Sequence, residues 1–65
     1  MPYVVNLDFC SENEFARVEK LLRSGEAWTV NYIYGTKRHF LVTWFKEQPL
    51  HEFLGIPADW VQLQT

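Results

Sequence analysis

Residues 27–46, AWTVNYIY-GTKR-HFLVTWFK, read as a β-hairpin in which two runs of β-branched and aromatic residues flank a polar, basic turn. Side chains alternate along a strand, so the first run divides into Trp28, Val30, Tyr32 and Tyr34 against Thr29, Asn31 and Ile33. The second divides into Phe40, Val42 and Trp44 against His39, Leu41, Thr43 and Phe45. Pairing Tyr34 with Phe40 brings the two wholly apolar sets onto one face. A slip of one residue would mix them, so burial is expected to select this register. Gly35 allows the bend, and Thr36, Lys37 and Arg38 make a basic tip.

N-terminal to the hairpin, Ser11-Glu12-Asn13-Glu14 fits a capping box, in which the hydroxyl and the carboxylate three positions on satisfy free backbone amides. The helix it opens carries an apolar stripe of Phe15, Val18, Leu21 and Leu22. Asn13, Arg17, Lys20 and Ser24 face away, Glu19 can pair with Arg23 one turn later, and Gly25 ends the helix in the left-handed conformation. Before the helix, residues 3–9 alternate as a strand, with Tyr3, Val5, Leu7 and Phe9 towards the core and Val4, Asn6 and Asp8 away from it.

C-terminal to the hairpin, residues 48–55 form a short second helix with Pro49 in its first turn and Gly55 just past its end. Leu50, Phe53 and Leu54 share one side of it. Residues 60–64 alternate again as a last short strand. The order β-α-β-β-α-β defines a small α+β fold: an antiparallel sheet with the helices on one face, a minimal ferredoxin-like split βαβ plan. The second crossover is trimmed close to the minimum length. The fallback is therefore a β-α-β-β core with an irregular C-terminal arm across it.

The chain has 65 residues and reads as a single compact domain. A core of this size supplies only ~3–5 kcal/mol, and small proteins usually add a disulfide, a metal or a partner. The one cysteine, Cys10, cannot form an internal disulfide. A net charge of −2 gives no polyelectrolyte footprint. There is no membrane-length apolar run and no signal-peptide pattern, so a reduced, cytoplasmic setting is expected.

Two short helices cannot cover both sides of so apolar a sheet. The side left over is expected to be a mixed platform with an apolar centre and a polar surround. Ile33, Leu41 and Phe45 would supply its anchors, and Asn6, Asp8, Asn31 and Thr43 its hydrogen bonds. Lys37, Arg38 and an exposed Trp60 would be secondary contacts.

The chain carries no catalytic motif, so no enzyme and no cofactor are expected. Cys10 precedes a helix start, where a thiol pKa can fall, but no histidine or second cysteine is near it in sequence. His39, His51, Cys10 and Glu52 match no zinc spacing, and His51-Glu52 lacks the second histidine of HExxH. Asp8 with Glu47 or Glu52 reads as solvated surface charge.

Pro2-Tyr3-Val4-Val5-Asn6-Leu7 resembles the first-strand motif of RNA-recognition domains. Residues 37–44, KRHFLVTW, loosely resemble their third-strand motif, without its two glycines. The resemblance implies bases stacked on an open sheet. It would put Tyr3, His39 and Leu41 at the stacking positions and Lys37 or Arg38 near phosphate. Single-stranded RNA or DNA binding is thus the alternative function. The leading expectation is a small non-enzymatic module that occupies the surface of another protein or of a second copy of itself, as an inhibitor, adaptor or small subunit. That is the scale of many compact inhibitors encoded by phages and mobile elements, an analogy of size alone.

Overall fold

The computed structural model describes residues 2–25, 27–31 and 38–64, without the side chains of Val30 and Asn31. In chain order the elements are β1 (Pro2–Asn6), α1 (Glu12–Leu22), β2 (Trp28–Asn31), β3 (His39–Thr43), α2 (Leu50–Leu54), a 3-10 turn (Ala58–Trp60) and β4 (Val61–Leu63). They form a small α+β structure with a four-stranded antiparallel sheet in the order β2-β3-β1-β4. The last strand docks beside the first, Val4 opposite Gln62.

Helix α1 starts as its sequence requires. Ser11 is extended, and its hydroxyl accepts a hydrogen bond from the Glu14 amide at 3.2 Å. Of the apolar stripe, Val18 and Leu22 are buried, while Phe15 and Leu21 pack at the margin of the core. Glu19 and Arg23 pair at 3.4 Å, and Gly25 has φ +93°. In α2, Leu50 and Leu54 are buried, Phe53 is half-buried, and Gly55 closes the helix at φ +68°. Both helices share one core with Val5, Leu7, Phe40, Val42, Trp44 and Ile56, so both lie against the same side of the sheet. The indole of Trp44 packs on Phe53 at 4.9 Å between centroids and donates to the Gln48 carbonyl at 2.8 Å.

Register assigns the two faces row by row. On the helix side, Thr29, Val42, Tyr3 and Leu63 make one cross-strand row; position 31, Phe40, Val5 and Val61 make the next. On the open side the rows are Trp28, Thr43 and Pro2; then position 30, Leu41, Val4 and Gln62; then His39 and Asn6.

The hairpin register differs from the expected one. Trp28 lies opposite Thr43 where a Tyr34–Phe40 pairing would have set it opposite Lys46, and this odd shift exchanges the faces of β2. Trp28 is therefore on the open side, while Thr29 and position 31 lie on the helix side. The physical cause is the end of α1, where the Thr29 hydroxyl donates at 3.0 Å to the Leu22 carbonyl, one of the acceptors a helix C-terminus leaves unpaired. The expected Tyr34–Phe40 pair itself involves a residue outside the described ones.

Two further expectations fail locally. Phe9 is 84% exposed because β1 stops at Asn6. There the Asn6 side chain accepts from the Asp8 amide at 2.9 Å, and the turn from Leu7 to Cys10 breaks the alternation. Arg17 does not simply face solvent. Its guanidinium donates to the Leu54 and Gly55 carbonyls at 2.8 and 3.3 Å, capping the end of α2.

Candidate functional site

The candidate site is the open side of the sheet. Leu41 lies at its middle, on the inner strand β3, with Val4 directly opposite on β1; both are half-buried by their neighbours. Trp28 opens β2 at one end of the face and is 78% exposed. Phe45, two residues beyond Trp28's partner Thr43, lies at the same end and is 85% exposed. These rings project where a folded chain normally hides them, since an exposed aromatic group forfeits a large burial term.

Among the described residues, formal charge on this surface is confined to one corner, where the Asp8 carboxylate lies beside His39. Among the described residues, the open-side strand positions are Pro2, Val4, Asn6, Trp28, His39, Leu41, Thr43 and Gln62, with no Asp, Glu, Lys or Arg. At the end away from Trp28, His39 Nε2 lies 3.0 Å from an Asp8 carboxylate oxygen, and the Asn6 side chain holds the Asp8 amide. Asn6, Asp8 and His39 thus form one linked polar corner whose hydrogen bonds are already directed inward on the chain.

Other expected site residues fall elsewhere. Arg38 is not a projecting tip. Its guanidinium donates to the Cys10 carbonyl at 3.2 Å, forms an ion pair with Glu12 and lies 4.5 Å from the Phe15 ring centroid. The Glu12 carboxylate, through its hydrogen bond, raises the Arg38 pKa above its ordinary value. Arg38 therefore fastens the start of β3 to the N-terminus of α1. Trp60 is half-buried against the core, not exposed, because the 3-10 turn directs it inward before β4 begins. The pairing sets position 31 opposite Phe40, and the Asn31 side chain lies outside the described residues. Ile33 and Lys37 also lie outside them.

Tyr3, carried over as a stacking residue, instead shares the helix-side row of Val42 and packs against the core. Its parity is that of Val5 and Leu7, both fully buried, and burial of those two fixes the face of the whole strand. Trp28 is the site residue that sequence reasoning missed. The signal that could have found it is Thr29, a residue able to back-bond to a helix end and so pin the opposite parity.

Cys10 is buried, and its thiol donates to the Leu7 carbonyl at 2.9 Å. No cluster of three or more His, Cys, Asp or Glu side chains suited to a metal occurs among the described residues. None of the described helices is long and apolar enough to cross a membrane. No protein-family model, curated protein or solved structure matches the chain.

Proposed function

We propose that this protein is a small non-enzymatic protein-binding module that works by occupying a partner protein's surface, as an inhibitor, adaptor or small subunit. One observation carries the reading: the open face, whose described strand positions hold no Asp, Glu, Lys or Arg, ends in the exposed ring of Trp28, with Phe45 exposed just beyond the end of β3. Buried aromatic anchors dominate the energetics of protein interfaces, and a neutral apolar centre is cheap to desolvate. The architecture is read as a minimal ferredoxin-like split βαβ; the element order and the strand order β2-β3-β1-β4 support this. A reducing, cytoplasmic setting suits the free thiol of Cys10.

The nucleic-acid alternative draws on His39 and Leu41, which do lie on the open face. It is weakened by Tyr3, which turns to the core, and by Arg38, whose guanidinium serves Glu12 and Cys10. A gel-shift titration with a single-stranded oligonucleotide at low salt tests it; the protein-binding reading expects no shift.

The direct test is affinity capture from the lysate of the source cells, comparing the wild type with Phe45→Asp. The reading expects a protein retained by the wild type and lost by the variant. Identical captures, with both proteins folded by circular dichroism, would contradict it.

A further inference from the structure

We propose that β2 has two registers one residue apart, and that the slip between them withdraws Trp28 from the open face into the cleft at the end of α1. The proposal deepens the protein-binding reading above and rests on it, by supplying a regulation of the same site.

Sequence and register pull β2 in opposite directions. Along the strand the apolar Trp28 and Val30 alternate with the polar Thr29 and Asn31. The observed register turns Thr29 to the end of α1 and leaves Trp28 78% exposed, so the largest ring of the strand goes unburied. A local preference that the fold overrides marks an element with a competing state. The nearest competitor is a step of one residue, which carries every side chain of a strand to its other face. With Trp28 opposite Val42 instead of Thr43, the ring turns to the helix side, where Val42 is fully buried.

The fold holds room for that ring. A cleft of about 630 Å³ opens between the last turn of α1 and β2, with Glu19, Leu22, Arg23, Ala27, Thr29 and Phe40 among its lining. In the slipped register Trp28 takes the place opposite Val42 that Thr29 now holds on this cleft. The Leu22 carbonyl, released by the Thr29 hydroxyl, offers the acceptor that a buried indole N–H requires. The step from Leu22 to Trp28 must lengthen by ~3.4 Å, one strand residue. Gly25, bent at φ +93°, can supply this, because glycine reaches negative φ as readily. One hydrogen bond is thus set against the burial of one ring, opposing effects of similar size. A partner that grips Trp28 selects the observed register, and the slipped one hides the anchor when no partner is present.

The test is fluorine saturation-transfer NMR of the full chain, alone and labelled with fluorotryptophan, the Trp28 signal being assigned by its loss in Trp28→Phe. In the wild type a minor state of ~1–10% is expected at Trp28, exchanging in milliseconds, with no counterpart at Trp60. Thr29→Val removes the bond that holds the observed register and should raise that population ~2–10-fold. Thr29→Ser keeps the hydroxyl and should stay close to the wild type. A single Trp28 signal in both the wild type and Thr29→Val overturns the proposal. So does a minor state whose population Thr29→Val leaves unchanged, or exchange shared equally by all the tryptophans, which would report unfolding. None of these results touches the wider reading, since they are obtained without a partner; that reading falls only if the Phe45→Asp capture matches that of the wild type.

Discussion

Gly55 sits at φ +68° at the end of α2, and a Cβ built there would lie 3.2 Å from Nη1 of Arg17. Gly55→Ala would therefore strain the backbone and push the guanidinium off the Leu54 carbonyl. The backbone term alone is ~1–2 kcal/mol, and each kcal/mol lowers the melting temperature of so small a domain by ~4–8 °C. Gly55→Asn should cost less, because asparagine tolerates the left-handed region. Calorimetry of the two variants checks both the size and the order. Arg38 makes a second prediction. Arg38→Ala should speed amide hydrogen exchange in the first turn of α1 while leaving α2 unchanged. Because Glu12 raises the Arg38 pKa, the folded guanidinium is charged throughout the neutral range. Its contribution is fully present below the unfolded pKa and is lost only above the folded one, so the arginine itself introduces no pH dependence near neutrality. Residues whose partners are local were legible from sequence: Ser11 with Glu14, and Glu19 with Arg23. Arg17 and Arg38 were not, because their partners lie 37 and 28 residues away along the chain.

At the scale of elements, the balance between α1 and β2 sets the hairpin. The expected register maximised the burial of alternating aromatics, and it would have hidden Trp28. The chain instead keeps the short step from Leu22 to Trp28, and the Thr29 hydroxyl meets the free end of α1. Thr29→Val should then cost ~0.5–1.5 kcal/mol, the net worth of one hydrogen bond, while keeping the side-chain shape. Urea denaturation should show a lower midpoint at an unchanged slope. A stability equal to that of the wild type would mean that the hydroxyl does not hold the register. Both helices and the inner strands were readable because their periodicities are strong and local. The faces of β2 and the end of β1 were not, because one tertiary hydrogen bond and one asparagine turn overrode alternation.

Among the described residues there is one core, and both helices lie on the same face of the sheet. The surplus of apolar surface was visible in composition, but its centre of gravity was misplaced. Trp28 belongs to it, and Trp60 is half-buried against the core. Exposed rings contribute nothing to the isolated fold, so Phe45→Ser should leave stability to urea within ~0.5 kcal/mol of the wild type. The central claim, that the uncovered face is where this protein meets another surface, is tested most directly by affinity capture from the source-cell lysate with Trp28→Ser and Phe9→Asp beside the wild type. A protein retained by the wild type and by Phe9→Asp but lost with Trp28→Ser is predicted. Equal capture by all three, with each variant folded, would contradict it.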